Sequence, residues 1–316
     1  MRRPSEVHMD IIFLEPTFKE RIWGGDKLKS FGYHLPFQHT GECWAISAHK
    51  NGESIVKNGP YQGKPLSIVY QNERHLFGNI QHDVFPLLIK ILDAEDDLSV
   101  QVHPDDHYAK EVEHDLGKTE CWYVLDAAPD AHIIYGHRAQ TNEAFKKMID
   151  EGKWDELLIK KHVKKGDFIY VPSKTIHALG KGLLILETQQ SSDTTYRLYD
   201  YDRKDALGKT RELHIEKSIE VARIPHIEEK IDQKEEHFGS SKLITLIDNR
   251  FFKVMHLKTK DQLKIPHQHF TLVSVIDGFG KINGQKIKKG DHFIITTLTK
   301  MLDIEGRLEC IMSSTH

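Results

Sequence analysis

Short apolar runs punctuated by glycine and proline recur through most of this chain, and they constrain its fold more than any other feature. Examples are Cys43-Trp44-Ala45-Ile46-Ser47, Phe85 to Leu92, Leu98 to Val102, Glu120 to Leu125, Asp167 to Val171 and Leu183 to Thr188. Runs of this length, bounded by turn residues, read as strands, and their close succession predicts a mainly β sandwich or barrel rather than alternating βαβ units. Helical patterns are local. Asn142 to Leu158 carries Phe145, Met148, Ile149, Trp154 and Leu157 at helical spacing, with Thr141 as N-cap, and Leu213 to Ile224 is a second such stretch. Both are expected to be insertions between strands.

A boundary is expected near residue 236. Glu228 to Glu236 is almost wholly charged and polar, and Gly239, Ser240 and Ser241 follow it. Beyond it, Leu243 to Leu257 and Leu272 to Ile276 alternate like strands, and Asp277-Gly278 and Asn283-Gly284 have the composition of hairpin turns. This predicts a larger domain over 10–236, carrying the helical insertion, and a smaller β-domain over 237–316. Residues 1–9 are set aside as a leader or extension; they are charged but lack the apolar segment of a signal peptide. Gly166-Asp167-Phe168-Ile169 is echoed by Gly290-Asp291-His292-Phe293-Ile294, and Gln101-x-His103 by His267-x-His269, which suggests duplication of a β-domain.

The 316 residues suffice for one large or two moderate cores, with 39% hydrophobic and 29% charged residues. A net charge of −3 gives no general attraction for nucleic acid or anionic lipid, and no apolar stretch approaches a membrane span. An anionic substrate must be held by local lysines and arginines. The three cysteines, Cys43, Cys121 and Cys310, are scattered, which points to free thiols and a cytoplasmic location.

One constellation carries chemistry. Strand residues two apart share a face, so Gln101 and His103 point together, and Pro104 ends the strand beside them. Glu120 follows the turn at Gly117, and Gly166-Asp167 opens a strand reaching Pro172, with His177 five residues on. A neutral amide, two imidazoles and a carboxylate form a borderline-soft ligand set that suits zinc and leaves room for water or substrate. The chain holds 21 histidines, so a single one says little; the ordered combination is what points to a metal site. The offsets of glycine, proline and final histidine match the second half of a cupin metal-binding pattern. His267-x-His269 lacks the later ligands and reads as a metal-free copy.

The chain resembles the type I phosphomannose isomerases, particularly their short bacterial form. The resemblance rests on Arg21-Ile22-Trp23-Gly24-Gly25, Gly41 to Ser47, Phe85 to Lys90, Leu98 to Pro104, Lys118-Thr119-Glu120 and Ser192 to Asp200. It implies two cupin (jelly-roll-like) β-barrel domains with a helical insertion in the first, and one zinc ion per chain. It further implies that Gln101, His103, Glu120 and His177 ligate the zinc, that Arg197 belongs to the active site, and that Lys90 and Lys118 line the substrate pocket. The activity implied is interconversion of mannose 6-phosphate and fructose 6-phosphate through a cis-enediol.

Several residues have plainer readings. Arg197 could instead pair with Asp193 or Asp200, and the two lysines could lie on the surface. Trp23 and Trp44 read as core or pocket walls, and Cys121, next to Glu120 on a strand, should point away from the metal. Two other functions compete: an iron cupin dioxygenase, which needs an open two-histidine, one-carboxylate face, and a non-catalytic sugar-binding cupin, which would have lost a ligand or Arg197.

Overall fold

Strands buried on both faces are rich in apolar residues and must find a partner for each polar one they carry. Leu87–Ala94 and Leu183–Gln190 are buried throughout, because they lie at the centre of a sheet sandwiched between two others. The computed structural model describes residues 9–204 and 207–315. Its strands form three sheets. The central six-stranded sheet runs Phe168–Val171, Glu120–Ala127, Leu183–Gln190, Leu87–Ala94, Thr17–Gly25, Thr40–Ile46. One face of it packs on a five-stranded sheet ordered Tyr196–Tyr199, Val100–Val102, His177–Leu179, His132–His137, Leu158–His162. The other face packs on a ten-stranded sheet built mainly from residues beyond 234.

Side-chain alternation divides the core accordingly. In Glu120–Ala127, Trp122 and Val124 join Leu92, Ile185, Ile133 and Leu179 between the six- and five-stranded sheets. Cys121, Tyr123 and Leu125 point the opposite way, into a core shared with Phe252, Phe270, Leu272 and Ile311. Cys121 therefore turns its back on Glu120. The outer face of the five-stranded sheet, with Val100, Val102, Ala178 and Leu198, is covered by helices Asn142–Asp150, Trp154–Leu157 and Ile215–Val221. Thr141 caps the first of these, its hydroxyl accepting from Ala144 N at 3.1 Å.

The architecture is mainly β and cupin-like, but the sheets are open layers of a sandwich, not closed barrels. Other departures from the sequence expectation have physical causes. Residues 1–8 of the expected leader lie outside the described residues; Met9 is buried, and its carbonyl accepts from Thr296 Oγ1. The strand Ile11–Glu15 pairs antiparallel with His292–Ile295 on one edge and with Ile55–Val56 on the other, so it joins residues of the expected larger domain to the C-terminal sheet. Position 236 falls inside the exposed edge strand Lys234–Phe238, where charges suit one solvated face. Asn283-Gly284 makes the expected hairpin, both residues with positive φ. Asp277-Gly278 does not: it lies within Thr271–Ile282 just after a bulge at Ile276, where the register shifts between Val275 and Asp277, and Gly278 has a φ of 84°. The Gly-Asp echo is geometrical, since Asp167 accepts from Lys164 N and Asp291 from Lys288 N in the same turn. Among the described residues no helix is long and apolar enough to cross a membrane.

Candidate metal centre

Four distant segments are stitched together where the six- and five-stranded sheets meet. Lys118 N donates to Pro104 O at 3.1 Å, and Lys174 N to His103 O at 2.7 Å. Gln190 N donates to Thr119 O at 3.1 Å. Gly117 is required for this approach, because a Cβ there would lie 2.4 Å from Asp106 N. Register then aligns the polar residues into rows. Arg197 and His177 flank Gln101 across three strands of one sheet. On the facing sheet Trp122, Glu187, Lys90 and Trp44 stand side by side across four strands.

His103, Glu120 and His177 are fully buried, and their donor atoms all lie within 4.8 Å of one another. His103 Nε2 is 3.4 Å from Glu120 Oε2, and His177 Nε2 is 3.4 Å from Glu120 Oε1. The tautomers follow from the other ring nitrogens. His103 Nδ1 meets Thr194 O at 3.0 Å and His177 Nδ1 meets Thr175 O at 2.8 Å. A carbonyl only accepts, so both Nδ1 atoms carry the proton and both Nε2 atoms present a lone pair. Burial first, then the Lys118 charge, lowers His103 to about 3. Burial also lowers His177, so both imidazoles are neutral at pH 7. Burial works to raise Glu120, but the Lys118 ammonium opposes it and the carboxyl is held well below the usual range. His103 Nε2 and Glu120 Oε2 have no hydrogen-bond partner. Lone pairs facing one another in a dry pocket, with no proton between them, are the environment a divalent cation relieves. Gln101 adjoins them, its Nε2 3.3 Å from His177 Nε2, and a half-turn of the amide would present its oxygen there.

Beside this group lies a cleft of about 410 Å³ whose lining includes Trp23, Lys90, Gln101, Lys118, Glu187 and Arg197. Lys118 Nζ is 3.4 Å from Glu120 Oε2. Burial works to lower its pKa, but Glu120, Glu187, Asp193 and Glu42 together raise it, so the ammonium stays charged. Lys90 is buried, 3.8 Å from Glu187 Oε1 and 4.8 Å above the Trp44 ring. Arg197 donates through Nε to Ser99 Oγ at 3.3 Å and through Nη1 to Glu212 O at 2.7 Å. The alternative partner Asp200 is taken by Arg203 and Arg211, and Asp193 accepts from Asn51. His267, in contrast, spends both nitrogens on Thr299 O and Thr271 Oγ1.

The sequence reading passed over Glu187, Trp122 and Glu42. Glu187 is buried; burial and then the charge of Glu120 raise its pKa, against Lys118, Lys90 and the Trp122 N–H. Trp122 Nε1 reaches Glu187 Oε2 at 3.0 Å and Glu120 Oε1 at 3.1 Å. Glu42 is held by Arg21 through two hydrogen bonds and by Trp44 Nε1 at 2.6 Å. A carboxylate inside an otherwise apolar strand was the available signal, since such a charge is rarely buried without a partner.

Comparison with known proteins gives a consistent answer. Residues 11–144 match the family described as phosphomannose isomerase type I, catalytic domain, and residues 242–315 match the mannose-6-phosphate isomerase cupin domain. The chain is 54% identical to a mannose-6-phosphate isomerase of Bacillus subtilis over 308 residues, 96% of this chain and 98% of that one. It is 50% identical to the mannose-6-phosphate isomerase of Streptococcus mutans over 311 residues, again 96% of this chain and 98% of that one. The crystal structure of a Bacillus subtilis mannose 6-phosphate isomerase superposes with a TM-score of 0.94 at 46% identity, covering 96% of this chain and 99% of that one. A phosphomannose isomerase from Salmonella typhimurium, 14% identical, shares the fold with a TM-score of 0.75 over 97% of this chain and all of its own. With two family profiles matched over most of its length and relatives at half identity along nearly all of it, the chain belongs to the type I phosphomannose isomerases.

Proposed function

We propose that this chain is a zinc-dependent aldose–ketose isomerase that interconverts mannose 6-phosphate and fructose 6-phosphate through a cis-enediol. The observation that carries this is the convergence of His103 Nε2, His177 Nε2 and Glu120 without an intervening proton, beside a cleft holding Lys90, Lys118 and Arg197. Gln101, His103, Glu120 and His177 are the residues that would hold the cation. When bound, zinc supplies Lewis-acid polarisation of the sugar's carbonyl and hydroxyl oxygens and has no redox chemistry to divert an enediol.

The remaining work falls to the chain's own groups. Moving a proton between C1 and C2 builds negative charge on oxygen, and Arg197 meets that charge with a cation that cannot be deprotonated. Its anchors on Ser99 and Glu212 fix the guanidinium at the cleft wall. Lys90 and Lys118, both buried and lining the cleft, bind the phosphosugar. Glu187 is the group proposed to carry the proton. Of the buried carboxylates there, Glu42 is locked by Arg21 and Glu120 faces the histidines, while Glu187 is held by the Trp122 N–H and more loosely by Lys90 at 3.8 Å. Its raised pKa suits general acid–base work near neutral pH. The three cysteines are buried, unpaired thiols, in keeping with a reducing cytoplasmic setting.

The test is a coupled assay for fructose 6-phosphate formation from mannose 6-phosphate, before and after chelation and zinc readdition. Activity lost on chelation and restored by zinc is expected. A rate indifferent to chelation sinks the metal reading. Glu187→Gln should lower kcat by about 10²–10⁴-fold with metal content intact.

A further inference from the structure

Trp122 lies two residues beyond Glu120 on the same strand and so faces the same interior. It is 1% exposed and stands directly opposite Glu187 on the neighbouring strand. An indole nitrogen can only donate, and this one places its single proton between two carboxylates, 3.1 Å from Glu120 Oε1 and 3.0 Å from Glu187 Oε2. The ring also packs edge-on against His177, with centroids 5.5 Å apart and planes at 65°. One side chain thus touches two of the three convergent groups and the acid proposed to carry the proton.

We propose that Trp122 is the positioning residue of the centre: its N–H pins Oε1 of Glu120, aims Oε2 at the cation, and keeps Glu187 from becoming a further ligand. The inference rests on the metal-centre reading above. Glu120 Oε1 has a second neighbour in His177 Nε2, but that atom carries no proton and cannot hold it. Glu187 has Lys90 at 3.8 Å on its other oxygen, too long to fix the carboxylate's rotation. Without the indole proton the two carboxylates share no donor but the lysines, Lys118 at Glu120 Oε2 and Lys90 at Glu187 Oε1, and Glu187 is released to approach the cation in place of substrate.

The experiment compares the parent with Trp122→Phe. A second variant replaces Trp122 site-specifically with β-(3-benzothienyl)alanine, which keeps the bicyclic shape and removes only the N–H, so that loss of packing is separated from loss of the donor. Zinc dissociation constants are measured by competition with a chromophoric chelator, visible spectra are recorded with cobalt(II) in the site, and kcat and KM are determined with mannose 6-phosphate. Both variants should bind zinc about 10–100-fold more weakly than the parent, shift the cobalt bands, and lose kcat more than they raise KM. Parent-like zinc affinity and cobalt spectrum in a folded variant would overturn the role of Trp122 while leaving the centre in place. A parent that binds no zinc would remove both.

Discussion

Replacing Glu42 with glutamine removes the charge at the hub of the cleft wall and leaves an acceptor for Trp44. Burial works to raise the Glu42 carboxyl, but Lys90, Arg21 and the hydrogen bonds from Trp44 and Arg21 more than reverse it, lowering the pKa from an ordinary 4.5 to about 2. At about 1.36 kcal/mol per pH unit this corresponds to roughly 3 kcal/mol of folding stability. Arg21 is 34% exposed on its side chain, so solvent screens its share and about 2 kcal/mol is the better figure. The sign is fixed by the direction: a folded-state value below the unfolded one stabilises fully above pH 4.5, and the contribution fades as pH falls toward 2. Roughly 1 kcal/mol of it should be gone by pH 3.5. Urea unfolding followed by tryptophan fluorescence, with EDTA present so that metal binding plays no part, measures both proteins at pH 7 and pH 3.5. Glu42→Gln should be less stable than the parent by about 2 kcal/mol at pH 7, and the gap should narrow by about half at pH 3.5. A gap that stays constant between those two pH values would refute the electrostatic account.

Two further perturbations separate chemistry from architecture. Arg197→Ala should lower kcat by about 10²–10³-fold while zinc content and melting temperature stay near the parent's; near-normal turnover would remove its role. Gly117→Ala forces a Cβ against Asp106 N and should displace the Lys118-Thr119-Glu120 segment, weakening zinc binding measured by chelator competition; an unchanged affinity would show that the segment tolerates the shift.

The parts of the site that could be read from the sequence are those that alternation exposes. In Val100–Val102, Gln101 is the polar residue between two apolar ones, so its direction, and that of His103 beyond it, follow from the period of a strand. Thr141 was recognisable because an N-cap is a local device. Glu187 could be seen as a charge within an apolar run but not placed, because Leu183–Gln190 is buried on both faces and shows no alternation to say which way it points. Its partners Trp122 and Lys90 sit on strands 65 and about 97 residues away in sequence, and only register brings them into one row. Asp277-Gly278 misled for a related reason. Its composition suits a hairpin and a bulge equally, and the long pairing of Thr271–Ile282 with Met301–Ser314 decides between them.

The placement of Ile11–Glu15 has a consequence for biosynthesis. Ile12 and Leu14, at 0% and 2% exposure, are shielded in a sheet whose neighbouring strand, His292–Ile295, is synthesised long after them. A strand synthesised early therefore waits for one synthesised late, and meanwhile the short strand Ile55–Val56 covers just its other edge. Folding of this enzyme cannot run to completion segment by segment in the order of synthesis, because Ile11–Glu15 must wait to clasp His292–Ile295.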